Sequence, residues 1–259
     1  MLEARVYRRS DLSRSEVAVV NLGSLKIAIA LMMVPLSIVL ADPATRSSSQ
    51  PSTSPVNWFA MTADQFAKCD AANLPMPWEN HDPVLLSVAI LHETNRHRIE
   101  NKLQALRYMP KLDEAALMHA TDMSNGHYFS HVNENDPQKR EVIDRVKLLK
   151  LSPMFVGENI IMEYGIRYQV RRKVYDVVKS GQRGVSYEPN GPAIPPRTYL
   201  EFARNVCQRW MDSPTHRQNM LTPHARFLGA AAVPGQTEDE IRFRKFYCVQ
   251  VFFAPMPKQ

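Results

Sequence analysis

Three short stretches, far apart along the chain, each set an ionisable group beside aromatic or apolar neighbours that would hold it in place: Gly126-His-Tyr-Phe-Ser-His131, Gly157-Glu-Asn159 and Trp210-Met-Asp-Ser-Pro-Thr-His-Arg-Gln-Asn-Met-Leu221. Neutral imidazoles can donate nitrogen lone pairs to a divalent cation, and a carboxylate can bind backbone amides or take a proton from a metal-held water. A second histidine pair, in His92-Glu-Thr-Asn-Arg-His97, resembles a zinc-protease helix only at first sight. That chemistry needs two histidines four residues apart, so that successive turns aim both rings at one metal. An interval of five turns the second ring about 140° away, at roughly 100° per residue. Glu93 and Arg96 are therefore read as capping or inter-element partners. There is no Gly-x-Ser-x-Gly elbow and no phosphate-binding glycine loop, with nine glycines in 259 residues, so serine hydrolases and nucleotide enzymes lack their minimum parts. Cys69, Cys207 and Cys248 sit in no nucleophile setting.

The elements that must position these groups are legible as helices mixed with a few strands. Asp82-Pro83 supplies an N-cap acceptor and a proline whose missing N–H is harmless at the first helical position. From Val84 to about Leu103, Leu85, Val88, Ala89, Leu91 and His92 recur at helical spacing. A second helix is expected from Asp113 to Gly126, with Leu117, Ala120 and Met123 on its inner face. Phe155 to Met162 reads as a buried strand. Thr198-Tyr-Leu-Glu201 is a capping box that opens a helix through Phe202, Val206 and Trp210, with Pro214 as its stop. Phe227–Val233 and Ile241–Phe253 read as an antiparallel pair joined by Pro234-Gly235 and a short acidic turn. Without a βαβ repeat, this order predicts an α+β fold with helices packed on a small antiparallel sheet.

Taken together the motifs resemble the CAP superfamily (cysteine-rich secretory, antigen five and pathogenesis-related proteins), in particular its cysteine-poor bacterial SCP-domain branch. Leu91-His-Glu-Thr-Asn-Arg-His-Arg98 is similar to that family's first helix, Pro110-Lys-Leu-Asp113 to the entry of its second, and Tyr247-Cys-Val-Gln-Val251 to its closing strand. Phe129-Ser-His131, Gly157-Glu-Asn159 and Ser213-Pro-Thr-His-Arg217 with Asn219-Met-Leu221 are similar to the stretches that carry its cavity residues. The resemblance covers roughly residues 83–254. It implies an α-β-α sandwich, secretion and a surface cleft where histidines and acids converge. It also implies His131 and His216 as ligands for zinc or another divalent metal, with Glu158 as the nearby carboxylate. Asp212, Asn159 and Gln250 are the further cleft-lining candidates. Where the eukaryotic branch has a second glutamate, three residues after the helix tryptophan, this chain has Ser213, with Asp212 one position out of phase; Tyr247 or a neighbour stands in for the closing-strand histidine. Two functions remain open on these residues: a non-enzymatic extracellular module binding a metal, small molecule, lipid or cell-envelope polymer, and a metal-dependent hydrolase or peptidase in which Glu158 activates water. Trp210 and Asn219 are read as structural and His127 as exposed.

The N-terminal part has a different character. Ile27-Ala-Ile-Ala-Leu-Met-Met-Val-Pro-Leu-Ser-Ile-Val-Leu40 is an unbroken apolar run of 14 residues after Lys26. As a helix it would reach roughly 21 Å, short of a bilayer core of about 30 Å. Residues 1–41 are therefore expected to be a signal peptide, or an uncleaved anchor. Residues 42–56 form a Ser/Thr/Pro-rich linker, 57–82 an extension that packs on the domain, and 83–257 the domain itself, with an insertion at about 165–197. Export would allow one disulfide among three cysteines, Cys207 with Cys248 if it forms, or three thiols. Of the formal charge of +6, residues 1–41 hold +2, leaving +4, too little to argue for nucleic acid. Arg167, Arg171, Arg172, Lys173, Lys179 and Arg183 against Asp176 make the insertion's first half basic, either a solvated loop or a basic helix meeting an anionic surface. A monomer is expected. Val39-Leu40-Ala41 suits a signal peptidase, so N-terminal sequencing of the exported protein should begin at Asp42; a chain still carrying Met1 would mark the run as an anchor.

Overall fold

Asp82 sets the longest helix in motion: its Oδ1 accepts from the amides of Val84 at 2.9 Å and Leu85 at 3.0 Å, with Pro83 at the first helical position. The computed structural model describes residues 2–8, 57–179 and 182–257. The apolar run 27–40 and the linker 42–56 lie outside the described residues. In chain order the elements are β1 (Leu2–Arg8), α1 (Ala63–Ala67), α2 (Asp70–Asn73), α3 (Pro83–Glu100), β2 (Arg107–Tyr108), α4 (Pro110–Gly126), α5 (Val142–Leu148), β3 (Pro153–Tyr164), β4 (Tyr175–Lys179), β5 (Gln182–Ser186), α6 (Tyr199–Asp212), α7 (Pro214–Met220), β6 (Phe227–Pro234), α8 (Glu238–Phe243) and β7 (Lys245–Pro255).

The main sheet runs β1-β3-β7-β6-β2. All neighbours are antiparallel except β2 with β6. Because side chains alternate across a strand, each strand feeds a core on either face. Phe155, Ile161, Phe246, Cys248 and Phe252 pack with α1, α2, α3 and α6 through residues such as Phe66, Leu86, Ile90, Phe202 and Trp210. Val156, Ile160, Val249, Val251 and Phe253 pack with Leu112, Ala116 and Ala120 of α4 and Val142 and Val146 of α5. The result is the α+β, α-β-α sandwich that the motifs imply. Residues 57–82 belong to the first core: Phe66 and Met76 are buried there and Trp58 and Phe59 lean on it. Cys207 and Cys248 are buried free thiols in this same core, and Cys69 is also free. Among the described residues no helix is long and apolar enough to cross a membrane.

Several boundaries differ from the sequence reading. Leu117 is 46% exposed, and the inner face of α4 runs through Leu112, Ala115, Ala116, His119, Ala120 and Met123. Pro214 does end α6, but as the first residue of α7. Ile241 lies in α8 rather than in a strand, since Thr237 and Glu240 close a reciprocal capping box and Arg244, at φ 49°, ends the helix. The insertion builds the antiparallel hairpin β4–β5 rather than a basic helix. Its β-branched and aromatic residues Tyr175, Val177 and Val185 favour the extended chain, and Val185 joins Ile166 and Ile194 in a small third core.

One point fixes α4 against the sheet. Asp113 accepts from Ser87 Oγ at 2.7 Å, Tyr108 Oη at 2.7 Å and the Ala230 amide at 2.8 Å, tying α3, β2, α4 and β6. The close approach depends on Gly229, where an added Cβ would lie 2.4 Å from backbone atoms of Leu112 and Asp113. Backbone cannot swing aside as a side chain can, so Gly229→Ala should destabilise by about 1–3 kcal/mol or more; chemical denaturation of the variant measures it.

Candidate functional site

The pleat of β3 divides the candidate residues between two faces. Glu158 follows Val156 and precedes Ile160, which face α4 and α5. Asn159 shares its parity with Phe155 and Ile161, which face α3 and α6. On the first face the Glu158 carboxylate is wholly enclosed. Its Oε1 accepts from His131 Nδ1 at 2.6 Å and its Oε2 from Arg145 Nη2 at 2.7 Å. Arg145 also donates Nη1 to the Lys139 carbonyl at 2.8 Å. His119 completes the cluster, with Nε2 at 2.8 Å from the Ser130 carbonyl and 3.9 Å from Glu158 Oε1. Glu158, Arg145 and His119 are each 0% exposed and His131 is 5% exposed.

Burial by itself would push the Glu158 carboxyl up, because it penalises the ionised form. The Arg145 charge, His119 and the His131 hydrogen bond together outweigh it and hold the group down at about 2. Burial pushes His119 down to about 4, with the nearby Arg145 acting in the same direction against Glu158. His119 is therefore neutral near pH 7, where Arg145 and the His131 N–H sustain the carboxylate. An ionised carboxylate accepts only, so Nδ1 of His131 carries the proton.

On the other face lies a network of amides. Asn159 Nδ2 donates to Gln250 Oε1 at 3.2 Å and to the His216 carbonyl at 3.3 Å. Asn219 Nδ2 donates to Asn159 Oδ1 at 2.9 Å and to the Glu158 carbonyl at 3.0 Å. Gln250 Nε2 continues to Thr94 Oγ1 at 2.7 Å. Asn159, Gln250 and His216 are all buried, so they tie β3, β7, α7 and α3 together and do not line an open wall. His216 joins this network through its backbone. Asp212 stands apart, exposed at the end of α6, where it accepts from Gln208 Nε2 at 2.8 Å and borders a shallow hollow shared with Arg96 and His97. His127 is exposed, in the left-handed conformation that caps α4.

The model of the cysteine-rich secretory protein (CAP) family matches residues 91–252. The chain belongs to that family. The CAP match starts within α3 and ends within β7, so it takes in the whole Glu158 cluster and most of both cores. Similar solved structures include an extracellular protein containing an SCP domain from Bacillus anthracis, 22% identical over 66% of this chain and 41% of that one, TM-score 0.43. Two others are an outer surface protein from Borrelia burgdorferi, 13% identical over 64% and 90%, TM-score 0.41, and a cysteine-rich secretory protein from Staphylococcus aureus, 12% identical over 68% and 42%, TM-score 0.40. The chain thus spans about two fifths of the Bacillus and Staphylococcus proteins. Comparison with curated proteins returned no match.

Two members of this CAP cluster, Arg145 and His119, were not singled out from the sequence. Both had a signal: Arg145 follows Val142 by three and precedes Val146, and His119 lies between Ala116 and Met123, so each interrupts an apolar helix face. As a metal centre the donors fall short. Among the described residues no group of three His, Cys, Asp or Glu side chains is arranged to hold a metal ion, and both Glu158 oxygens are already engaged.

The acid response follows from these shifts. As pH falls through 6.5 the unfolded chain protonates at His119 before the folded one, and stability declines until about pH 4. Glu158, with an ordinary value of 4.5 and a folded value of about 2, extends the loss across that lower window. His119→Gln should flatten the upper part of the stability profile and, because the His119 charge also helps hold Glu158 down, narrow the lower part. Glu158→Gln strands the Arg145 charge and should cost about 3–5 kcal/mol at pH 7, read by denaturant titration at several pH values.

Proposed function

We propose that this CAP domain is a non-enzymatic binding module that works outside the cytoplasm, secreted or at the cell envelope. The apolar run 27–40 and the secretory family support the location. One observation carries the binding reading over the hydrolytic one: Glu158, the carboxylate that a hydrolase would use, has both oxygens committed and is held near 2 by Arg145 and its neighbours. A general base works best with a pKa near the working pH, and this one is far below it. The cluster is a structural anchor that fixes β3 against α4 and α5.

The binding surface supported by charge is the insertion. Arg171, Arg172 and Lys173 are exposed, and none of them forms an ion pair among the described residues. Arg172 and Lys173 lie over the rings of Tyr187 and Tyr175, at 3.8 and 4.9 Å from the centroids. Such a patch suits an anionic envelope polymer or lipid headgroup, with attraction that weakens as salt rises.

A divalent metal is a second reading with its own observation. Nδ1 of His131 is held by Glu158 while its buried Nε2 has no hydrogen-bond partner among the described residues, the orientation of a histidine whose far nitrogen meets a cation and whose near one is fixed by a carboxylate. His131 is a single imidazole, below the three protein ligands of a catalytic zinc; His216 is the second ligand by family resemblance.

One preparation tests these readings together. The full chain should leave a peptide library uncut and should sediment with phosphatidylglycerol vesicles, with retention falling in salt and in Arg171→Gln/Arg172→Gln/Lys173→Gln. Peptide turnover that disappears in a folded Glu158→Gln variant would overturn the binding reading. For the metal, mass spectrometry should find an ion that His131→Ala loses.

A further inference from the structure

A trough crosses the surface where α3, α6 and α7 meet the insertion, on the opposite side of the sheet from the Glu158 cluster. It consists of three hollows that run into one another. The first, of about 570 Å³, lies between the insertion and α6, with Tyr168, Gln169, Arg197, Arg204 and Gln208 in its lining beside Glu93 of α3. The second, of about 440 Å³, takes up at Gln208 and continues past Arg96, Asn101 and Asp212 to Arg217. The third, of about 400 Å³, shares Arg217 and Leu221 with the second and ends at His224. α6 alone is 14 residues long, roughly 21 Å, so a trough along it matches an extended chain better than a compact molecule. All of these residues follow the apolar run 27–40, and the trough therefore belongs to the domain whether or not residues 1–41 are removed.

Three observations define the chemistry of the chain that fits. First, the acids of the trough are largely spent while several cations are not. Glu93 and Glu100 both pair with Arg96, and Glu201 pairs with Arg167. Arg197 and Arg217 form no ion pair among the described residues and donate instead to the carbonyls of Tyr164 and Met211. Arg204 is largely exposed and reaches Glu93 only at 3.9 Å. Second, the groups between these cations are neutral amides, Gln169, Asn205, Gln208, Asn101 and Gln218. An amide both donates and accepts, which is what a row of hydroxyls requires. Third, the trough opens into the basic patch of the insertion. Arg172 Nη1 donates to Gln169 Oε1 at 3.2 Å, and Tyr168 Oη donates to the Arg172 carbonyl at 3.2 Å. A bilayer presents a plane, which would meet the patch without following the hollows behind it.

We propose that the trough holds a linear anionic polysaccharide, which enters at Arg171, Arg172 and Lys173 and lies along α6 as far as Arg217. Arg197, Arg204 and Arg217 take its acidic groups, and the amides between them take its hydroxyls. Attraction over the length of the chain comes from many weak contacts, so affinity grows with the number of sugar units engaged. This rests on the binding-module reading and gives that module a ligand class.

Calorimetric titration of the full chain with polygalacturonate tests the assignment. Binding should weaken as salt rises, and digalacturonate, too short to engage more than one hollow, should bind more weakly by on the order of a hundredfold. Polyglutamate, which has the charge without the hydroxyls, should also bind more weakly than polygalacturonate. Arg204→Gln/Arg217→Gln should lower polymer affinity on the order of tenfold and leave sedimentation with phosphatidylglycerol vesicles unchanged. Arg171→Gln/Arg172→Gln/Lys173→Gln should weaken both. Asp212→Asn removes the one acid of the trough that has no ion pair among the described residues and should tighten polymer binding, an expectation that stands even where the double arginine variant fails to fold. Unchanged polymer affinity in the trough variants, equal affinity for polyglutamate, or digalacturonate matching the polymer would overturn the proposal. Loss of vesicle binding in Arg204→Gln/Arg217→Gln would overturn it too, by assigning the trough to lipid. An unaltered chain that retains vesicles and no polymer overturns this proposal alone, and one that retains neither overturns the binding-module reading with it. Polymer that is bound and then shortened leaves the trough assignment standing and ends the non-enzymatic reading.

Discussion

The ion pair between Glu158 and Arg145 is the constraint on which the rest of this domain turns. Two opposite charges lie fully enclosed between a strand and a helix, 2.7 Å apart. Taking such charges out of water costs several kcal/mol each, and the attraction repays it only when geometry and supporting hydrogen bonds are good. Both conditions are met, since the second carboxylate oxygen is taken by His131 and the guanidinium also reaches the Lys139 carbonyl. The pair is therefore better understood as a device that fixes one arrangement than as a large net source of stability. It holds α5 and the His131 loop to the centre of β3.

β3 can serve both cores because its neighbouring residues have opposite duties. Glu158 organises the charged face and Asn159 the amide face, and the Asn219 side chain bridges the two by binding the Glu158 carbonyl and Asn159 Oδ1. A strand gripped in this way has little freedom to adjust its side chains to a small ligand. The physical division of the molecule follows: side chains at the Gly-Glu-Asn stretch give rigidity, while the basic insertion folds as a separate hairpin with its own small core.

The charges around Glu158 set it apart from a carboxylate poised as a base. A carboxylate useful as a base needs a proton affinity near that of its surroundings, and hence an environment that destabilises its charge. Here the buried cation dominates and the charge is stabilised. His119, pushed the opposite way by its own burial, is neutral near pH 7 and accepts or donates within the cluster without adding charge to it.

Much of this was readable before any coordinates. Asp82-Pro83 and Thr198 with Glu201 are capping signals whose partners lie within four residues, so the starts of α3 and α6 were determined locally. The order of the motifs was enough to place the chain in its family and to set the α-β-α sandwich, and His131 and Glu158 do meet. The sequence could not decide which face of β3 each candidate would take, or that Arg145 and His119 would be enclosed with Glu158, because those contacts join positions 13 and 39 residues away that only close packing brings together. Nor could it show Asp212 left at the surface, Ile241 drawn into α8 by the Thr237 cap, or Leu2–Arg8 laid along β3. Helix caps and periodicity are short-range properties of the chain, whereas the burial of a charge and the pairing of a strand edge depend on what the rest of the fold puts beside them.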